Sequence, residues 1–314
     1  MKKRLISLFL LIICGWACFL INCGLFDSDD DDDGSHHDTD ITSFSSAVPA
    51  WSPDGQWIAI ARMLGENWIP CGIYLVRPDG SDLHRIFSFG DGIIIIDICW
   101  APDGEWLAFN AYQEIWKIKP NGDSLTRLTF SSENYTCTWS LSDTLIAFRH
   151  SSGDYYSGVW LMDIDGNNSR HFIRLGGHID FAQGDSLFYE ISIGQGVGQM
   201  ALINTSDSTE RVFYTMIAGN PYHAYYDPEI SPNGLYVIMS IDEHIRKLTT
   251  EGTNLQTLTT KKGEFPHWSP DGNQIVYCEQ GDNPHGGVIR IMNSDGTNNH
   301  VIVDWHELKP DSLK

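Results

Sequence analysis

Asp180, Glu229 and His267 occupy matching places in the chain, each one residue ahead of a hydrophobic anchor: Phe181, Ile230 and Trp268. Two carboxylates and an imidazole that converge could hold a divalent metal or a polar ligand, because oxygen and imidazole donors suit such ions. The plainer outcome for the same residues is a solvated or mutually paired lining. Earlier members of the series are Ala50, Cys99 and Thr138, which carry no carboxylate or imidazole, so any ligand set would sit on one arc. Whether these side chains meet depends on the elements that carry them.

Those elements are a repeat. Ala50-Trp51-Ser52-Pro53-Asp54-Gly55 returns as Trp100-Ala101-Pro102-Asp103-Gly104 and as Trp268-Ser269-Pro270-Asp271-Gly272, with Ser231-Pro232-Asn233-Gly234 a fourth version. Each turn is followed by an apolar run such as Trp57–Ala61, a variable loop, a second run such as Ile73–Val76, a Pro-Asp-Gly-Ser-type turn and a last run such as Leu83–Phe87. Period-two runs joined by Asp-Gly turns are hairpin signals, since glycine supplies the positive φ that a tight turn needs. Anchors at Trp51, Trp100, Trp139, Phe181, Ile230 and Trp268 give a period of roughly 40–50 residues, that of four-stranded propeller blades. The expected fold is all-β, a six-bladed β-propeller of four-stranded antiparallel blades over residues 45–305. Blade four is the most degenerate, with Ala182-Gln183-Gly184-Asp185 at its first turn and strands expected at Ser186–Glu190 and Gln199–Ile203.

On these residues the chain resembles the TolB-like, or WD40-like (PD40), propeller repeats. The resemblance implies the fold and an envelope protein that docks partners. TolB itself carries a further α/β domain ahead of its propeller, so its own role is not carried over whole. The repeated tryptophan is expected in the core between blades, and the turn aspartate is expected to form the turn.

In a four-strand meander the first and third connections fall at one end, and the second connections and the links between blades fall at the other. The first set is short. The second is expected to be long, at Met63–Gly72, Phe89–Ile94, His150–Gly158, Ile193–Gly198, Met216–Tyr226 and Gln280–Gly287, and it gathers Trp68, Tyr155, Tyr156, Tyr222, His223, Tyr225, Tyr226 and His285. Aromatic side chains on loops of a rigid scaffold suit protein contacts or sugar stacking, so this end is the candidate binding face.

Residues 1–22 resemble a lipoprotein-type signal: Lys2, Lys3 and Arg4, then an apolar run from Leu5 to Ile21, then Leu20-Ile21-Asn22-Cys23 with Cys23 as the lipidation candidate. Asn22 departs from the small residue usual before that cysteine. The aspartate-rich segment within 23–44 has too little apolar surface to order itself and is expected to be a tether. Residues 306–314 are a short tail.

The chain carries a net charge of −21; the signal holds three of the positive charges and the tether eight aspartates, so residues 41–314 carry −16. A body this acidic repels phosphate backbones, which excludes nucleic acid as the expected partner. Cys71, Cys99, Cys137 and Cys278 remain in the body, an even number compatible with disulfides in an exported chain. Cys71 and Cys278 lie near the same level of the first and sixth blades, which makes them a candidate pair for a disulfide at the ring closure, with free thiols the alternative.

Catalytic signatures are not found. Gly194-Gln195-Gly196-Val197-Gly198 lies between strands and opens no helix, His306-Glu307-Leu308-Lys309-Pro310 misses metalloprotease spacing, and Asp163-Ile164-Asp165-Gly166-Asn167 lacks the later acidic ligand of a calcium loop. The expected function is therefore a lipid-tethered binding module of the cell envelope. It would be exported, whether anchored at the outer membrane, periplasmic or on the surface, with a protein or glycan partner, and it is not expected to be an enzyme. The alternative is a metal-dependent lyase or hydrolase using the channel. No cofactor is expected beyond that candidate divalent metal.

Overall fold

The computed structural model describes residues 47–62, 71–88, 90, 95–153, 157–174, 177–194, 197–217, 226–280, 287–305 and 307–308. Among the described residues twenty-four strands make six four-stranded sheets, each an antiparallel meander of consecutive strands. Blade 1 is β1 (Ala47–Trp51), β2 (Ile58–Arg62), β3 (Gly72–Val76) and β4 (His84–Phe87); blade 2 is β5 (Ile95–Trp100), β6 (Leu107–Ala111), β7 (Glu114–Ile118) and β8 (Thr126–Arg127). Blade 3 is β9 (Asn134–Trp139), β10 (Leu145–His150), β11 (Gly158–Asp163) and β12 (Arg170–Arg174); blade 4 is β13 (Ile179–Ala182), β14 (Ser186–Gly194), β15 (Val197–Asn204) and β16 (Glu210–Ile217). Blade 5 is β17 (Tyr226–Ile230), β18 (Tyr236–Ile241), β19 (His244–Thr249) and β20 (Gln256–Thr257); blade 6 is β21 (Gly263–Trp268), β22 (Gln274–Glu279), β23 (Val288–Asn293) and β24 (His300–Asp304). The six-bladed reading and all six anchors hold.

The hydrophobic core is divided among the junctions between neighbouring blades. Every residue of β1, β2 and β3 is buried, because both faces of a blade meet a neighbour. Ile73, Leu75 and Ala61 of blade 1 pack with Ile98, Leu107 and Phe109 of blade 2, and equivalent clusters fill the next four junctions. The ring closes by the same means: Trp51, Ile60 and Tyr74 of blade 1 pack on Val276, Ile291 and Val303 of blade 6. Trp305, just past β24, lies edge-on to Tyr74 at 5.2 Å and under the Arg62 guanidinium at 4.6 Å, which ties the chain's last strand to its first blade. Blade 6 is complete within its own strands.

The Ser-Pro-Asp-Gly turn is a closed set of hydrogen bonds. Ser52 C=O accepts the Gly55 N–H at 2.9 Å, Ser52 Oγ accepts the Trp57 N–H at 2.8 Å and donates to Asp54 Oδ1 at 2.6 Å, and that oxygen also accepts the Gln56 N–H. The same pattern recurs from Ser269 and Ser231. The motif therefore caps a hairpin, as expected.

The second turn makes a different demand on its glycine. A Cβ on Gly80 (φ +84°) would lie 2.8 Å from the Ile302 carbonyl oxygen of blade 6, and one on Gly122 (φ +85°) 2.6 Å from that of Ile86 in blade 1. Each such turn rests on the outer strand of the preceding blade. Two expectations fail in blade 4. β14 and β15 extend past Glu190 and before Gln199, pairing as far as Gly194 with Val197, so the loop expected at Ile193–Gly198 is largely hairpin; β16 likewise continues to Ile217. Long strands with a glycine-rich apex were mistaken for strands ending in a long loop.

The two glycine classes separate in a mutational test. Gly104 (φ +74°) has open space at its Cβ, so Gly104→Ala costs only backbone strain, about 1 kcal/mol. Gly80→Ala adds a collision with backbone and is expected to cost about 3 kcal/mol in denaturant unfolding. Equal losses would refute the tight closure contact.

Candidate functional site

The innermost strands β1, β5, β9, β13, β17 and β21 each pair on one side only, so the N–H groups on their other edge need acceptors. In blades 3 to 6 the side chain of the residue before the anchor answers this. Thr138 Oγ1 of blade 3 accepts the Phe181 N–H of blade 4 at 3.3 Å, and Asp180 Oδ2 of blade 4 faces the Ile230 N–H of blade 5 at 3.4 Å. Glu229 Oε2 of blade 5 accepts the Trp268 N–H of blade 6 at 2.6 Å, and His267 Nδ1 of blade 6 faces the Trp51 N–H of blade 1 at 3.3 Å. The chain of bonds thus runs from blade 3 through the ring closure. At the remaining junctions Trp100 Nε1 donates to the Ala50 carbonyl at 3.1 Å, and Asp97 Oδ2 accepts the Cys137 N–H at 2.8 Å.

Side chains also touch side chains. The Thr138 hydroxyl donates to Asp180 Oδ1 at 3.2 Å, and His267 Nε2 lies 3.3 Å from Glu229 Oε1. His267 Nδ1 is 3.0 Å from the Trp268 carbonyl as well as facing the Trp51 N–H, and it cannot accept from one while donating to the other. Two arrangements satisfy every group but one. With Glu229 ionised, Nε2–H donates to it and bare Nδ1 accepts from Trp51. With Glu229 protonated, its O–H donates to Nε2, and Nδ1–H turns to the Trp268 carbonyl, releasing the Trp51 N–H.

A second set lies two residues earlier in the same strands. Asp97, His178 and Asp227 precede their anchors by three positions, and β5 and β17 shift register by a bulge there, with Asp227 at φ +52°. His178 Nδ1 lies 2.7 Å from Asp227 Oδ1. The signal for this set was in the sequence, because it shares the period-two face already followed one position before the anchor.

Burial dominates the electrostatics. It pushes Asp97 up to about 6 and Asp180 up to about 7, against the hydrogen bonds each receives; the Asp227 charge adds to the rise at Asp97, and the Asp97 charge adds to it at Asp180. Burial and then Asp180 raise Glu229 well above the ordinary carboxylate range, and burial lowers His267 to about 4. Glu229 keeps 17% of its side chain exposed and His267 30%, so water in the channel tempers these shifts. Burial therefore favours the protonated form of these carboxylates and the neutral form of His267. Of the proposed metal ligands, Glu229 and His267 meet, while Asp180 is engaged by Thr138 and Ile230; no set of three His, Cys, Asp or Glu residues among the described residues is gathered as a ligand set.

The expected aromatic face is mostly out of view. Cys23, Trp68, Tyr155, Tyr156, Tyr222, His223, Tyr225 and His285 lie outside the described residues, and of Tyr226 only the backbone, paired with Ser240, is described. The same end carries two aromatics that the loop-length argument missed. Tyr112 tops the tight β6–β7 turn at 55% exposure, and Phe130 stands in the link from β8 to β9 at 76%. That link is held by Glu114, which is buried and accepts bonds from Arg127 at 2.6 Å, the Ser132 N–H at 2.8 Å, Asn134 Nδ2 at 3.1 Å and the Thr129 hydroxyl. The Arg127 guanidinium lies 4.9 Å from the Phe130 ring centre.

The molecule is a six-bladed propeller whose channel wall is stitched by ionisable side chains. Solved structures share its architecture. A putative TolB from Agrobacterium tumefaciens matches with a TM-score of 0.58 at 17% identity, over 71% of this chain and 84% of that one. TolB from Acinetobacter baumannii matches with a TM-score of 0.61 at 14% identity, over 80% of this chain and 61% of that one, so the match spans less than two thirds of the Acinetobacter protein. A chain of a nidogen/laminin complex gives 0.59 at 9% identity, over 73% and 88%. No family model and no curated protein matches the sequence. In fold the chain is a TolB-like propeller, and at these identities the likeness is one of fold.

The raised carboxylates set a pH dependence. Their folded-state values exceed the unfolded ones, so between about 4 and 7 the folded chain binds more protons and loses stability as pH rises. His267 opposes this between about 4 and 6.5, because its folded value is the lower one. Asp180→Asn removes one of the destabilising titrations. Its stability relative to the parent is expected to rise by about 1–2 kcal/mol from pH 4 to pH 8, less than the full shift because channel water screens the charge. Thermal unfolding of both proteins across that range checks it, and a pH-independent difference would contradict the burial assigned to Asp180.

Proposed function

We propose that the protein is an exported, lipid-tethered binding module of the cell envelope that docks a protein or glycan partner on the end carrying the blade links. The observation that carries this reading is Phe130, 76% exposed and presented by a link whose buried anchor, Glu114, is fully engaged. A large aromatic held rigidly in water costs little further ordering when a partner covers it. Tyr112 stands on the same end, and the expected aromatic loops would extend the surface.

Chain direction supports the tether. β1 starts from this end and β24 finishes at it, so residues 23–44 and Cys23 would attach beside the binding face. The opposite end carries the turn aspartates. Hydrogen bonds from Ser81, Thr209, Ser269 and Thr297 hold Asp79, Asp207, Asp271 and Asp295 below the usual carboxylate range, so that end is firmly anionic and unsuited to anionic lipid. The nidogen/laminin complex is a protein assembly that contains a propeller of this shape, which agrees with a protein partner.

The test is a crosslinked pull-down from native membranes with the full chain. Phe130→Ala and Tyr112→Ala are expected to leave Tm unchanged and to lower recovery of the principal partner about tenfold or more, the loss typical of a central aromatic contact. Unchanged recovery in the double variant would remove this end as the docking face. Loss of membrane association in Cys23→Ser, read in the same fractions, tests the anchor separately.

A further inference from the structure

Five of the six blade junctions carry a hydrogen bond from the anchor residue of one blade to the blade before it: at the backbone N–H in four, and through the Trp100 indole in the fifth. The junction between blades 2 and 3 is different. Its residue before the anchor is Cys99, which cannot accept as a carboxylate does, and across the junction stands Cys137 on β9. Their sulfur atoms are 4.0 Å apart, while none of the four described cysteines is in a disulfide.

We propose that Cys99 and Cys137 are a modification site, closed as an interblade disulfide by thiol–disulfide exchange, and that this bond takes at the blade 2–3 junction the place of the anchor bonds elsewhere. The location in the cell rests on the export reading; the chemistry does not.

The sulfurs must approach by about 2 Å to reach bonding distance, a shift that rotation about the two Cα–Cβ bonds can supply. The surroundings favour one bond over other outcomes. Cys137 is buried at 3% exposure against Trp139 and Ile146, whereas Cys99 is only partly buried, so a small disulfide reaches Cys99 first. The Cys99 thiolate attacks one sulfur of the reagent RSSR, forming a mixed disulfide and releasing RS⁻. The Cys137 thiol then gives its proton to that thiolate and attacks Cys99 Sγ, expelling the second RS⁻, which takes up the proton lost from Cys99. Two protein thiols and one RSSR become one protein disulfide and two RSH. The Cys137 thiol is pushed well up by its bond to Cys99, by burial and by Asp97, so closure is slow at neutral pH and quickens in mild alkali.

The bond would close a loop across the joint between two blades, so it opposes splaying of the ring as well as local unfolding. Asp97 Oδ2 already fixes the Cys137 backbone at 2.8 Å, which holds this stretch of β9 against β5 before any covalent step.

The experiment treats the folded full chain, reduced and freed of reductant, with hydroxyethyl disulfide at pH 8, followed by alkylation and peptide mapping. The expected product is about 2 Da lighter, links the Cys99 and Cys137 peptides, and unfolds about 5 °C higher than the reduced chain. A Cys71→Ser, Cys278→Ser variant is expected to give the same link. A mixed disulfide that persists on Cys99, or a link through Cys71 or Cys278, overturns the proposal. Acid-trapped protein from cells extends the test. An exported chain with both thiols alkylatable overturns closure in the cell. A cytoplasmic chain whose pair still closes in vitro refutes export and leaves the disulfide site supported.

Discussion

The constraint on which this structure depends is the unpaired inner edge of each blade. A four-stranded meander satisfies the backbone of its interior strands, but the innermost strand turns one row of N–H groups towards the channel. Water could take them, yet water would not fix one blade relative to the next. A side chain from the preceding blade does both at once, which explains why acceptors as different as threonine, aspartate, glutamate and histidine occupy one structural position. Thr138, Asp180, Glu229 and His267 differ in charge and length and share only a lone pair directed at the anchor N–H of the following blade.

Apolar packing supplies most of the cohesion around this hydrogen-bonded wall. Each junction has its own cluster, and the junction that closes the ring is built like the others, with Trp305 added as a clasp. Stability in such an array is mainly the sum of blades and junctions. The close seating of Gly80 on Ile302 and of Gly122 on Ile86 shows how little clearance that arrangement leaves. Channel wall, apolar layer and turn contacts act at three radii of the same joint.

Much of this was legible from the sequence because it repeats. Trp51, Trp100 and Trp268 fixed the register, and the register located the residue before each anchor. What escaped has physical causes. Asp97, His178 and Asp227 belong to a face whose spacing is disturbed by bulges in β5 and β17, so they attracted no notice although they flank the same channel. Phe130 was passed over because short connections were set aside; its exposure comes from the Glu114 network, whose members lie far apart in sequence. The blade count brings Cys71 and Cys278 to adjacent blades, which does not by itself set where their side chains aim. Cys99 and Cys137 meet only because they sit at unlike positions, one and two residues before their anchors.

The aspartates show how one residue type takes two roles in one fold. On the turns Asp79, Asp271 and Asp295 accept bonds from a neighbouring hydroxyl and backbone N–H in open water, which favours the ionised form and lowers their proton affinity. In the channel Asp97 and Asp180 also accept backbone bonds, yet burial outweighs those bonds, and the Asp97 charge adds to the rise at Asp180. Blades 2 and 5 oppose each other across the axis, and the Asp227 charge adds to the rise at Asp97. The formal −16 of the body therefore overstates the charge of the channel, where burial favours the protonated carboxylates. The turn aspartates stay ionised at the opposite end, so the repulsion they create does not stand in the way of an apolar contact at Tyr112 and Phe130.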